Sequence, residues 1–416
     1  MSEGPYAGLT VLEIGQFVVV PVAAMQLAHG GARVIKVEPP EGDNYRRAAP
    51  LIEDESRHFL AKNRGKESIS LRIGGPGVDE VLRRLIAKAD IVLTNMSPAA
   101  LVRHGLDYDA ICQINPRVIY GAVSAFGHVG PEAHLPGMDV VAQARSGLLF
   151  ALGAEADGLP LHSEVQAADY ATSMLLLAGL ATALYTRERT GVGQKVEVSL
   201  LAGGMALQGN ALHHFAGHDQ WREEFVSRAL PEMRRAGATP TEIGRRREEM
   251  RPDKGIHRNA YRVVRTADSY VAVGAGSRQA RERFFEIAGV DDVDDPARAD
   301  EVTARLDAAI AAHPTDHWVA QLQAAGVPVA EVRHVEELLF DEHVSAEGLI
   351  VEVEHELVGR YRAFGAPIRL SATPFDAGGP SPRFARQTRA VLQELGYTDD
   401  EIGELATAGV IVVKGE

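Results

Sequence analysis

The chain has 416 residues, a formal net charge of −14, and 45% hydrophobic against 24% charged residues. That is an ordinary globular composition, long enough for two domains of the usual ~100–200 residues. The acid excess excludes a general nucleic-acid binder, because phosphate contacts need a basic face. The single cysteine, Cys112, excludes an intrachain disulfide and a cysteine-based metal site.

The opening "MSEGPYAGLTVLEIG" has no basic region followed by an apolar run. No signal peptide is expected, and a reducing cytoplasm is the expected location. "LTVLEIG" (9–15) predicts a strand, "PVAAMQLAHGGA" (21–32) a helix and "RVIKVE" (33–38) a second strand stopped by Pro39-Pro40. Strand, helix and strand at this spacing make a βαβ unit with parallel pairing. The rhythm continues with a helix over 78–89, a strand over 90–95, a short helix over 108–116 and a strand over 117–127. An α/β fold with a mostly parallel sheet follows. Residues 130–165 are Gly- and Pro-rich and read as an active-site loop. The apolar run Met174 to Leu184 is shorter than the ~20 residues of a membrane span and predicts a buried helix, followed by strand "KVEVSLL" and a helix over 201–216.

Residues 217–258 are charged and poorly periodic and read as a connection. A smaller α+β domain is expected next, with two strands turning at Ala267-Asp268-Ser269 and helices over 278–288 and 301–326. Strands around a Gly turn from about 350, and two closing helices, complete the chain. The predicted division is 1–225, an inserted 226–330, and a return over 331–416.

A second strand ending in Glu38 suggests a dinucleotide site, but the first turn reads "EIGQFVVVPVAA" where G-x-G-x-x-G is needed. The phosphate cradle is missing. A small polyanion has one candidate partner: Arg57, Lys62, Arg64, Lys66 and Arg72 fall within sixteen residues. His213-His214 predict no metal site, since adjacent residues do not share a helix face and no further ligands cluster. Asp169 opens the apolar segment "VQAADYATSMLLLAGLATALYTRERT". Asp is among the best N-caps, so the residues alone leave cap and nucleophile both open.

The chain resembles the class III coenzyme A-transferases, the formyl-CoA and carnitine CoA-transferase family. The resemblance rests on "GLTVLEIGQFVVVPVAAMQLAHGGARVIKVEPPEGDNYRR", "NRGKESISL", "ADIVLTN", "GLDYDAICQINPRVIYGAVSAFGHVGP", "PGMDVVAQARSG", "ALYTRERTGVGQKVEVSLL", "GAPIRLSATP" and "VLQELGYTDDEIGELATAGVI", in that order. It implies a Rossmann-like large domain built from both chain ends, a small inserted domain and two interlocked subunits. It implies CoA transfer between an acyl-CoA and a carboxylic acid, with no tightly bound cofactor and no membrane or nucleic-acid partner. Asp169 takes the place of the family's nucleophile. A helix N-terminus carries partial positive charge, which predicts an ionised carboxylate there.

Correspondence with the family points to Phe17, Val18, Leu71, Arg72, Asn95, Met96 and Arg103 as CoA contacts, with Arg64 and Lys66 approaching phosphate. Met138 and Asp139 fall near the substrate. Acyl-CoA racemases of the same superfamily place a proton-transferring His where this chain has Met138, so racemisation loses its base. A non-catalytic acyl-CoA-binding paralogue is the reading from another class. Three departures from the family stand out: Ala168 replaces a common glycine, "TNMSPA" (94–99) stands where relatives carry "ENFRPG", and the small domain lacks a run of consecutive glycines. The last sets formyl and oxalyl substrates aside.

Overall fold

In the computed structural model, residues 4–162, 164–252, 259–291, 298–377 and 379–414 are described. Six strands form the central sheet: β1 (Thr10–Ile14), β2 (Arg33–Glu38), β3 (Glu67–Ser70), β4 (Ile91–Thr94), β5 (Ile119–Ser124) and β6 (Gln194–Ser199). Their order is β6-β5-β4-β1-β2-β3, and every pairing is parallel. This is the doubly wound order of Rossmann-like sheets, with the direction of winding reversing between β1 and β4.

Alternate strand residues face opposite layers. Leu12, Ile35 and Val92 pack with Val81 and Leu85 of the helix Val78–Lys88 and with Val391, Leu392 and Ile402 near the chain's end. Val11, Val34 and Ile91 face the other way, onto the helix Val19–His29 and onto Leu176 and Leu180 of the helix Ala167–Thr190. Burial on both faces explains why these strands read as near-continuous apolar runs. The helix Ala167–Thr190 has 24 residues, long and apolar enough by length and composition to cross a membrane, and longer than the predicted run. Half of its apolar stretch is packed inside the fold.

The chain divides into two compact units, Met1–His214 with Glu342–Glu416, and Phe215–Asp341. The sequence-drawn boundaries at 226 and 330 therefore fall inside the second unit. Part of the supposed connection is helical: Gln220–Glu224, a wide turn over Phe225–Ala229, Leu230–Arg235 and Pro240–Met250. Phe225, Ala229 and Ile243 give these helices a small core of their own, which the dense charge around them concealed. The second unit's sheet pairs Tyr261–Arg265, Tyr270–Gly274 and Val329–Glu331 antiparallel. Its predicted helix over 301–326 is two helices, Ala299–Ala311 and Thr315–Ala324, because Pro314 cannot continue the first. In the first unit, the expected loop over 130–165 contains the helices Asp139–Arg145 and Leu148–Leu152.

Beneath the carboxyl ends of β1 and β2 lies a buried charge network. The Lys36 ammonium pairs with Glu13 and Asp43, both at 2.9 Å, and donates to the Gly15 carbonyl at 2.8 Å. Lys66 pairs with Glu13 at 2.7 Å and donates to the Pro21 carbonyl and the Asn63 side chain. Glu38 accepts two bonds from Arg46 and one each from Ser68 and the Asp43 amide. Burial pushes the Glu38 carboxyl up, but Arg46 outweighs it and brings it to about 2. Glu38 is therefore committed to the scaffold and not open to a ribose.

Removing one partner of such a network strands the others in low dielectric. Lys36→Met is expected to cost about 3–5 kcal/mol, read as a lower urea midpoint at unchanged slope. An unchanged midpoint contradicts the assigned role of the network.

Candidate active site

A cavity of about 710 Å³ opens at the carboxyl edge of the sheet. It receives a residue at or just past the end of each central strand: Ile14, Pro39, Leu71, Asn95, Ser124 and Leu200. It therefore spans the point where the winding reverses, the place where open α/β sheets bind ligands.

The turn after β1 forms one wall. Phe17 takes a positive φ of 70°, which costs a non-glycine residue strain and needs support from its neighbours. The support is visible. The Asn95 side chain donates to the Gln16 carbonyl at 2.8 Å and accepts from the Gln16 amide at 3.2 Å. The Gln16 side chain accepts from Asn44 at 2.8 Å. A Cβ on Gly15 would meet Val20 at 2.5 Å, so only glycine lets the turn approach so closely. The Phe17 ring stands edge-on to Tyr45, with centroids 5.4 Å apart.

Asp169 lines the same cavity. It is the third residue of the helix Ala167–Thr190, past the cap position, which Gln166 occupies. It is therefore not an N-cap, and its carboxyl faces the cavity while only 7% of the residue is exposed. Asp139, at the start of its own helix, accepts the Asp169 backbone N–H at 3.0 Å and is held by Gln143. Burial and the neighbouring Asp139 push the Asp169 carboxyl up to about 7, and Lys62 opposes them. The expectation that the helix N-terminus keeps this group ionised is corrected: burial and Asp139 move its ionisation up to about 7. Among the described residues, no group of three or more His, Cys, Asp or Glu is placed to hold a metal ion.

The model of CoA-transferase family III matches residues 6–388. The chain belongs to CoA-transferase family III. An acetyl-CoA:oxalate CoA-transferase from Acetobacter aceti is 30% identical over 94% of this chain and 96% of its own length. A succinyl-CoA:glutarate CoA-transferase from Mus musculus is 29% identical over 99% and 91%. A CAIB/BAIF family protein from Brucella suis, of known crystal structure, is 27% identical and superposes with a TM-score of 0.74 over 94% of this chain and all of that one. The α/β large unit with a smaller α+β insert is the architecture of the family, and CoA transfer is its class of reaction.

In this CoA-transferase family member, Phe17, Val18, Leu71, Arg72, Asn95, Met96, Met138, Asp139 and Asp169 all line the one cavity. Arg103 lies apart, on an open depression of about 610 Å³, and His104 borders both. Arg72 is exposed and pairs with Glu41 at 2.6 Å. Arg64 and Lys66 depart from expectation. Arg64 is buried and donates to the Ala377 and Phe364 carbonyls, and Lys66 is buried on Glu13. Neither side chain is open to a phosphate, so the basic cluster read from the sequence is largely interior. Tyr45 and Gln166 are additions near Asp169, and Lys62, read from the sequence only as part of the basic cluster, joins them. Only the fold brings the three together.

Folding raises the Asp169 pKa, so the protonated carboxyl suits the folded state, and that stability is lost as pH rises from 3.8 toward about 7. Asp169→Asn, neutral throughout, is expected to be more stable than the parent at about pH 8 by on the order of 2–4 kcal/mol, with the gap closing near pH 4. Thermal melting across pH reads it. A parent more stable than the variant at alkaline pH contradicts the assigned burial cost.

Proposed function

We propose that this chain moves CoA between an acyl-CoA and a carboxylic acid through covalent intermediates on Asp169. The observation that carries this reading is a nearly buried carboxyl facing a cavity at the sheet's carboxyl edge, in a family III member. Partial desolvation makes an ionised carboxylate a better nucleophile, and the cavity gives a thioester a route to it. The Asp169 carboxylate attacks the thioester carbonyl, giving a mixed anhydride and CoA thiolate. The thiolate attacks the Asp169 side of the anhydride, releasing the donor acid and leaving an aspartyl-CoA thioester. The acceptor acid repeats the sequence in reverse and leaves with CoA. No net proton is exchanged.

Met138 lines the cavity directly before Asp139. A thioether carries no proton, which favours transfer over racemisation. The protein is further proposed to act as a homodimer. Met174, Leu175 and Tyr185 of the helix Ala167–Thr190, with nearby Val140, Val141 and Phe150, are all at least a third exposed, and outward apolar faces of this extent mark protein contacts.

Intact-mass analysis after incubation with acetyl-CoA or succinyl-CoA is expected to show added CoA or acyl mass, hydroxylamine to replace it with a hydroxamate that peptide mapping places on Asp169, and Asp169→Ala to show neither. Labelling rate should climb with pH through about 7, where the carboxyl ionises. An unlabelled, fully CoA-binding protein supports the idle paralogue. α-Proton exchange without transfer supports the racemase. Light scattering should give about twice the chain mass of 44.7 kDa; a single-chain mass contradicts the dimer.

A further inference from the structure

Lys62 is a buried cation without an anion. It follows the short helix Arg57–Leu60 and is 4% exposed. Its neighbours in sequence are held by the fold: Arg64 donates to two carbonyls, and Lys66 engages Glu13, a carbonyl and Asn63. Among the described residues, the Lys62 ammonium has no hydrogen-bond or ion-pair partner. It rests 5.3 Å from the centroid of the Tyr45 ring. That ring packs edge-on to Phe17, and its hydroxyl accepts from Gln166, the residue that caps the Asp169 helix. Lys62 and Asp169 attract one another, yet they lie beyond ion-pair range.

A cation on a largely buried side chain, with no anion beside it, is costly. Burial pulls the Lys62 pKa below its ordinary value, and only the field of Asp169 resists. Such a group is best satisfied by an anion that arrives with substrate. The phosphates of CoA lie at the end of the molecule remote from the thioester, so they cannot be that anion when the thioester is at Asp169. The carboxylate of the acid substrate can. It must reach bonding distance of a carbon on Asp169, beside the carboxyl of Asp139, where like charge repels it. A nearby cation offsets that repulsion and fixes the angle of approach.

We propose that Lys62 anchors the carboxylate of the acid substrate against the aspartyl-CoA thioester. The inference rests on the covalent reading of Asp169. One oxygen of the anchored carboxylate attacks the thioester carbonyl carbon. The carbon–sulfur bond breaks, and CoA leaves as thiolate. The thiolate then attacks the acid-side carbonyl of the anhydride, and Asp169 is released as carboxylate. Lys62 keeps its proton throughout.

Isotope exchange on the full chain tests this. Succinyl-CoA with carbon-13 succinate, and acetyl-CoA with carbon-13 acetate, report acid and thioester KM separately. Lys62→Met is expected to raise the acid KM about tenfold or more in both exchanges, with thioester KM within about twofold, and Lys62→Arg to recover part of the loss. An unchanged acid KM overturns the assignment. So does a parallel rise in both KM values, which marks a scaffold role, and so does a rise for succinate alone, which places Lys62 on a remote carboxylate. A wild-type protein that exchanges neither acid and takes no label on Asp169 overturns the transferase reading itself. Circular dichroism of both variants confirms that they fold.

Discussion

The ammonium of Lys36 ties together the elements that build the site. It holds Glu13 from β1, Asp43 ahead of the helix Asn44–Arg47, and the carbonyl of Gly15 in the turn between. Burial pulls its pKa down, but Asp43 and Glu13 outweigh burial and raise it. It therefore stays charged, and its partners stay fixed. From that point the chain leaves β1 into a turn whose Phe17 has a positive φ. A strained turn persists only where its surroundings over-determine it. Here Lys36 grips Gly15, while Asn95 and Asn44 grip Gln16 from two other segments.

In the cavity that this rigid turn borders, the proposed nucleophile sits in a place that is poor for stability. Asp169 shares a desolvated corner with Asp139, and its ionisation is pushed up to about 7. Functional sites commonly give up stability in this way. A fixed turn and a fixed helix start both border the cavity, which leaves its shape defined before substrate arrives. Lys62, buried on the face of Tyr45, is the complementary feature on the cationic side.

Much of the fold was legible in the sequence because parallel strands covered on both faces must be apolar runs, and the helices between them must be amphipathic. The strands at 10–14, 33–38, 91–94 and 119–124 were visible for that reason. β3 was not, since "ESIS" carries polar residues that pair inside the network and with the chain's C-terminal part. The same blindness affected Arg64 and Lys66. Charged residues in a loop are usually solvated, and their partners lie far away in the chain: Glu13 for Lys66, and the carbonyls of residues 364 and 377 for Arg64. Asp169 was distinguishable from a cap only through resemblance. Its charge state was misjudged because a helix field can be read from sequence and the loss of water cannot. Tyr45, Gln166 and Lys62 meet only in three dimensions, so no spacing pattern could bring them together.

Transfer through an anhydride moves an oxygen as well as CoA. An acid carrying oxygen-18 in its carboxylate should leave one heavy oxygen on the Asp169 side chain after turnover, located by peptide mass spectrometry. Heavy oxygen in the Asp169 peptide, and in no other, is the result this account predicts. Turnover that leaves that carboxyl unlabelled would mean that acid and enzyme never shared an oxygen, and would contradict it.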